Sequence, residues 1–350
     1  MYKKVTVIGG GIAGMEIAGQ LAFQGLEVTL LEKSNRLGGH VANWNHLFPD
    51  LEPANKIVSK LKFSIQDNVE ILYSAEIHKL QQTNRNFSIT LTDGQNIFAD
   101  AIVIATGFDL FNASKKEEYG YGVYNNVITS AELEEIFNSG KPLKTDKGIT
   151  PQRLAFIHCV GSRDEKAGNA YCSKICCITG IKQAIEVKKA NPGAEIYCFY
   201  MDLRMYDRFF EDTYFEAQAK YGIHFIRGRL SEANENKDGM LILKAEDTLT
   251  GKPIKMQVDM MVLLVGFVSS KGTREIASKF ELQLENDNFL KTADQHLNTG
   301  LTNREGIFIA GTCSGPKSVA ETISHARSTA LIVTDYLKKI NNLAEINSEL

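Results

Sequence analysis

The chain has 350 residues, 43% hydrophobic and 23% charged, so it can bury sizeable cores and exceeds the length at which single domains usually divide; two domains are expected. Its 39 basic and 42 acidic residues leave a formal charge of −3 without a basic run or basic aromatic stripe, which argues against nucleic acid as a partner. No stretch reaches the roughly 18 apolar residues of a membrane span, and the opening "KKVTVIGGGIAG" reads as a strand and glycine turn instead of a secretory leader, so a cytoplasmic protein is expected.

Along the chain, strand-like apolar runs alternate with helix-period segments. "KVTVIGG" precedes the helix "AGMEIAGQLAFQG", then come the strand "EVTLLEK" and, after the turn Asp93-Gly94, the strand "ADAIVIATG". A linker, 108–150, is rich in Tyr, Asn and Lys, and its pattern of Ser130 before acidic residues predicts a capped helix starting there. A second cycle follows Pro151: the strand "RLAFIHCVG", a helix over about 174–190, the turn Asn191-Pro192-Gly193, and the strand "AEIYCFY". It closes with "VDMMVLLVGF", an echo of "ADAIVIATGF" that predicts two units of one construction. After Ser269 signals are few until "EGIFIAG", a buried strand followed by a loop and a helix from about Lys317; so late a strand most simply returns to the first sheet. The fold class is therefore α/β, two Rossmann-like dinucleotide-binding domains with the second inserted in the first. The expected boundaries are 1–150 (including the linker), 151–268 for the insertion, and 269–350 for the returning segment.

Gly9, Gly11 and Gly14 form G-x-G-x-x-G directly after a strand and at the opening of a helix, which lets a pyrophosphate approach the backbone and rest on the helix N-terminus. The second strand ends at Glu32, eighteen residues beyond Gly14, where a carboxylate can accept from a ribose hydroxyl. Gly38-Gly39 adds a flexible stretch able to lie along a diphosphate. The inserted unit has no such fingerprint. After its first strand the sequence reads "VGSRDEKAGNAYCSK", and the chain has no C-x-x-C redox pair. Instead Cys159, Cys172, Cys176 and Cys177 are spaced C-x12-C-x3-C-C. Four thiolates suit soft metals, and by spacing alone an iron-sulfur cubane, zinc and simply buried thiols all stay open, although adjacent cysteines suit zinc's knuckle geometry poorly. Cys198 reads as a small core residue and Cys313 as an unpaired thiol in the late loop; His158 and His325 read as packed or hydrogen-bonding residues.

Two resemblances extend this reading. The glycine turn, "IVIATG" and "GIFIAGTCSGP" together resemble the two-dinucleotide-domain flavoproteins, which include thioredoxin reductase and the pyridine-nucleotide disulfide reductases. That resemblance implies FAD in the first domain, with contacts at Gly9, Gly11, Ile12, Ala13, Gly14, Glu32, Lys33, Gly38, Gly39, His40, Ile77, Thr106, Gly107, Gly311, Thr312 and Pro316. It departs at Gly311-Thr312, where the family usually has Gly-Asp beside the ribityl chain. Closer still, "HCVGSRDEKAGNAYCSKICCITGIKQA", "YMDLRMYDRFFEDTYFEAQAKYGIHFIRGR", "EEYGYGVYNNVITS" and "AGTCSGPKSVAETI" resemble the A-subunit of the heterodisulfide reductases over nearly the whole chain.

This second resemblance implies a [4Fe-4S] cluster on Cys159, Cys172, Cys176 and Cys177, and a flavin-tuning role for Lys182. The chain has no C-x2-C-x2-C-x3-C run of the kind found in the longer members, and "KKEEYGYGVYNN" points towards the short branch found in heterodisulfide-reductase-like complexes of sulfur oxidation. The implied function is an electron-transfer oxidoreductase component working with cluster-bearing subunits B and C, and a homodimer is expected. The alternative is a stand-alone NAD(P)H-dependent flavin oxidoreductase with structural or zinc-bound cysteines.

Overall fold

Runs such as Val5–Ile8, Ala101–Ile104 and Ile307–Ile309 are buried at every position, the signature of parallel strands covered on both faces. The computed structural model describes residues 3–65, 67–83 and 86–348, with side chains as far as residue 340. These residues divide into two units, one of 1–42, 55–109 and 268–350, the other of 43–54 and 110–267.

In the first unit five parallel strands lie in the order Ile307–Ile309, Ala101–Ile104, Lys4–Ile8, Glu27–Leu31, Val69–Leu72. Val7 sits opposite Leu30 on one side and Val103 on the other, so the first strand is central. The late strand pairs in parallel with Ala101–Ile104, completing the sheet as the sequence anticipated. Helix Ile12–Phe23 buries Met15, Ile17 and Leu21, and its Glu16 accepts from Arg327 Nε at 2.6 Å, tying it to the long helix Val319–Ser348. An antiparallel meander, Ile77–Thr83, Asn86–Leu91 and Asn96–Ala99, shares a core with the helix Lys271–Phe280, a helix without a strong sequence signal.

The second unit repeats the plan. Its parallel sheet runs His224–Arg227, Glu195–Tyr200, Arg153–Val160, Met260–Val265, Val127–Thr129, and a second antiparallel meander, Leu230–Glu235, Leu241–Asp247 and Lys252–Val258, lies in the chain between its strands His224–Arg227 and Met260–Val265. The echo between "ADAIVIATG" and "VDMMVLLVG" is structural, since each supplies the strand beside its unit's first strand. The one difference of plan is the outermost strand, which the first unit takes from the chain's last strand and the second from Val127–Thr129. The linker 108–150, expected with the first domain, thus belongs to the second unit from Leu110 onward, together with 43–54. A three-residue edge strand carries too short an apolar run to signal this assignment. The linker helix is Ser130–Asn138, and its N-cap is Thr129, which forms a reciprocal capping box with Glu132. Among the described residues no helix is long and apolar enough to cross a membrane.

Candidate functional site

In the first unit the glycine turn is shaped by contacts that admit no side chain. A Cβ on Gly14 would stand 1.7 Å from the carbonyl oxygen of Gly9, and one on Gly9, at φ +110°, would stand 2.4 Å from that of Ala105. At Gly11, by contrast, a Cβ would meet nothing, and the helix that Gly11 caps has neither a side-chain cap nor an acid in its first turn. The first-turn N–H groups, those of Ile12, Ala13 and Gly14, therefore face an open glycine cradle, a fit for a pyrophosphate. Glu32 is buried, with Oε2 accepting from Gly10 N–H and Oε1 from Ser34 N–H, each at 2.7 Å. Its two bonds fix the carboxylate while each oxygen keeps a lone pair for a ribose hydroxyl. Gly38 N–H donates to Gly10 O at 2.8 Å, and a Cβ on Gly39 would lie 3.2 Å from Gly11 Cα, so the Gly38-Gly39 stretch folds directly onto the cradle.

The late loop closes the same corner. A Cβ on Gly311 would meet that of Ala13 at 2.5 Å, and one on Gly107 would lie 3.9 Å from Thr312 Oγ1. Thr106 is braced by Thr273, hydroxyl to hydroxyl at 2.6 Å. His325 holds the loop from behind: Gly311 N–H donates to its Nδ1 at 3.0 Å and its Nε2–H donates to Thr299 O at 3.1 Å. Burial pushes the His325 pKa down, which suits a neutral ring that accepts at Nδ1. Neither Thr273 nor His325 was legible as a site residue; a Ser-x-x-Thr pattern at Ser270 was the available hint. The remaining expected contacts scatter. Lys33 is exposed, Pro316 is half-buried, and the His40 ring stacks on Phe108 at 4.4 Å. Ile77 buries its side chain in the core, leaving only its main chain for a ligand. Cys313 is fully buried, its S–H directed at Ile104 O, 3.2 Å away, and burial raises its pKa to about 11, so it is an inert core thiol; Cys198 is likewise fully buried.

In the second unit the corresponding turn, Gly161–Ile175, is a hydrogen-bonded platform. Ser162 Oγ donates to Tyr171 O, Ser173 N–H donates to Ser162 Oγ, and Tyr171 Oη donates to Phe267 O. Cys159, Arg163 and Lys174 are non-glycine residues in the left-handed region, a conformation costing on the order of 1–3 kcal/mol each and typical of functional loops. Cys159 stands where the register of its strand shifts between Ile157 and Val160. Cys176 and Cys177 open the helix Cys176–Ala190, whose N-cap Ile175 offers no side-chain bond. Cys159, Cys176 and Cys177 are buried and Cys172 is partly so. Burial, then the neighbouring Cys177 and Cys172, pushes the Cys159 thiol up to about 12; Cys176 is raised well above the usual thiol range by burial and by all three other cysteines. The four sulfurs thus share one electrostatic basin. Lys174 N–H donates to Cys172 Sγ (3.3 Å) and Arg204 N–H to Cys177 Sγ (3.4 Å), and the Arg163 guanidinium, paired with Asp202 at 2.8 Å, favours the Cys159 thiolate.

These donors and the positive helix end suit a negatively charged thiolate centre. Among the described residues no three His, Cys, Asp or Glu side chains converge closely enough for a single metal ion. Four cysteine thiols with main-chain N–H donors are a soft-metal set, and the adjacent Cys176 and Cys177 suit the separate irons of a cubane more readily than the short knuckle of a tetrahedral zinc site.

Lys182 is not a solvated helix lysine. It is 2% exposed, and its Nζ lies between Glu134 Oε1 and Glu186 Oε2, the latter at 2.9 Å. Gln183 Nε2 also donates to Glu134, at 2.7 Å, Asn45 N–H donates to its other oxygen at 3.0 Å, and His46 Nδ1 meets Glu186 Oε1 at 2.7 Å. Of this network sequence reading found Lys182 alone; the i,i+4 spacing of Glu186 was the signal left unused.

Residues 3–157 match the family model described as pyridine nucleotide-disulphide oxidoreductase. The chain also aligns with the A-subunit of the H(2):CoB-CoM heterodisulfide,ferredoxin reductase of Methanothermobacter thermautotrophicus, 30% identical over 93% of this chain and 63% of that protein. The iron-sulfur A-subunit of the CoB–CoM heterodisulfide reductase of Methanocaldococcus jannaschii is 32% identical over 95% of this chain and 64% of that protein. The chain therefore spans slightly under two thirds of these relatives' length. Lactococcus lactis thioredoxin reductase superposes with a TM-score of 0.67 at 17% identity, covering 97% of this chain and 100% of that one, a likeness of fold. Over nearly its whole length the chain is thus similar to the heterodisulfide reductase A-subunits, its first part matches the pyridine nucleotide-disulphide oxidoreductase model, and its fold is that of thioredoxin reductase.

Proposed function

We propose that the protein is an oxidoreductase subunit that holds FAD and a [4Fe-4S] cluster and passes electrons between flavin and the cluster-bearing B and C subunits of a heterodisulfide-reductase-like complex, in the oxidation of sulfur compounds. The observation that carries this reading is the four-cysteine basin at the helix end where a second dinucleotide fingerprint would otherwise stand. When bound, flavin exchanges electrons in pairs or singly and a cubane exchanges them singly, so one chain can join the two modes.

The chain's own residues have distinct tasks in this scheme. Gly9–Gly14 present main-chain donors to the pyrophosphate, Glu32 orients a ribose, and the Thr106-Gly107 and Gly311-Thr312 turns border the flavin. Cys159, Cys172, Cys176 and Cys177 ligate the cluster after losing protons that burial otherwise retains, so loading releases protons. Main-chain donors from Lys174 and Arg204 set the sulfurs' charge. Lys182, held between two carboxylates, is the flavin-tuning residue. The cytoplasmic location and the homodimer belong to the same reading.

Iron, acid-labile sulfide, zinc and flavin are measured after anaerobic purification. Four irons and four sulfides per FAD are expected, and Cys176→Ser or Cys177→Ser should lose the iron while keeping the FAD. Yellow protein with zinc or free thiols and no sulfide would return the chain to the NAD(P)H-oxidoreductase reading, as would rapid stoichiometric bleaching of its flavin by NADH or NADPH.

A further inference from the structure

We infer that His158 donates a hydrogen bond to the sulfur of the cysteine-bound centre and thereby raises its reduction potential, an inference that rests on the cluster reading above. His158 is 6% exposed, and among the described residues neither Nδ1 nor Nε2 has a hydrogen-bond partner. An imidazole carries at least one N–H in either protonation state. A buried donor without a partner costs about 1–3 kcal/mol, and native structures seldom tolerate one without a use for it.

The ring's place is built. A Cβ on Gly180 would lie 2.7 Å from His158 Cε1 and 2.9 Å from Nε2, closer than real Cβ contacts come, so only glycine leaves room for the imidazole. A glycine inside a helix costs about 1 kcal/mol relative to alanine, a cost this helix bears to admit the ring.

Position then identifies the acceptor. Gly180 follows Cys176 by four residues and so shares its helix face. Helical side-chain bonds tilt towards the N-terminus, so the volume that a Gly180 Cβ would take, occupied here by the Nε2 edge, overlies the turn that begins at Cys176. The histidine's own main chain runs directly into Cys159. The ring is therefore wedged between the elements that carry three of the four proposed ligands, with Leu264 beside it. No cysteine Sγ lies within hydrogen-bond reach of the ring, so the soft, electron-rich acceptor at that place is the cluster's own sulfide, and an N–H directed at it favours the more negative, reduced state.

The test uses the full chain purified anaerobically, with iron and sulfide counted first. A wild-type chain without cluster iron sinks the cluster reading, and this inference with it. Given full iron, redox titration by electron paramagnetic resonance should place the midpoint of His158→Leu below wild type. His158→Gln, which keeps a donor, should recover most of the difference, and Gly180→Ala, which displaces the ring, should shift the midpoint as His158→Leu does. Independently of any variant, wild type labelled with ¹⁵N-histidine should show a histidine nitrogen coupling to the reduced cluster in pulsed spectra. Full iron with an unmoved midpoint in His158→Leu, or no histidine coupling in wild type, would overturn the inference; should the leucine variant not fold, the labelled wild type decides alone.

Discussion

The two units share one sheet plan, yet their first strand-to-helix turns are opposites. In the first unit Gly9–Gly11 is bare backbone, and the helix after it starts with no side chain over its N–H groups. In the second the turn lengthens to Gly161–Ile175, fills with hydrogen bonds, and places two thiols at the first helical positions. The positive helix end is common to both, and what differs is whether negative charge arrives on a ligand's pyrophosphate or on the chain's own sulfur. In the proposed reading one scaffold feature thus serves two cofactor chemistries, by deleting side chains in one copy and by adding nucleophilic ones in the other.

That contrast breaks most forcefully at Gly14. In Gly14→Val the new Cβ must stand 1.7 Å from a main-chain oxygen of the adjoining turn, where no side-chain rotation gives relief. Flavin should be lost and stability should fall by at least about 3 kcal/mol, read by flavin absorbance and urea unfolding; retention of FAD would mean that the cradle is not the cofactor site. The second unit's most sensitive point is Lys182. Lys182→Met leaves Glu134 and Glu186 buried side by side without the lysine ammonium between them and should cost roughly 3 kcal/mol. Adding Glu134→Gln should restore part of that loss. A single variant as stable as wild type would show that the carboxylates do not depend on the lysine's charge.

Legibility followed the same divide. The glycine cradle was readable because its chemistry is local: a short turn of residues that lack side chains, with Glu32 at a fixed distance. The cysteine spacing was equally visible but chemically ambiguous, because four thiols at C-x12-C-x3-C-C do not by themselves separate cubane, zinc and core. What sequence could not show was made by partners distant in the chain. Thr273 braces Thr106 from 167 positions away, and His46 reaches Glu186 across 140. The strand Val127–Thr129 was hidden in a linker because three residues give no usable periodicity, and that strand moved the linker to the other unit.

A third prediction sharpens the first unit through pH. The His325 pKa lies below its ordinary 6.5 because the ring is buried, so the unfolded chain takes up a proton first as pH falls. Stability from this residue is complete above about pH 6.5 and declines as pH drops through the folded pKa, where protonated Nδ1 can no longer accept from Gly311 N–H. Urea midpoints compared at pH 7.5 and 5.5 should show a larger acid loss in wild type than in His325→Gln, by up to about 1 kcal/mol for the one ring hydrogen bond that protonation removes. An identical pH slope in the two proteins would remove His325 from the support of the loop.

The smallest expected effect tests the units' contrasting helix caps. Thr129 closes a capping box on Ser130–Asn138, with Glu132 N–H donating to its Oγ1 at 3.2 Å and its own N–H donating to Glu132 Oε2 at 2.6 Å. Thr129→Ala should therefore cost about 1 kcal/mol. The same helix carries Glu134 to Lys182, so loosening its first turn should also weaken that ion pair. A double-mutant cycle of Thr129→Ala with Glu134→Gln should give a nonzero coupling, about 0.5 kcal/mol or more. Strict additivity would mean that the cap steadies only its own helix end, and that the buried lysine network is held in place without it.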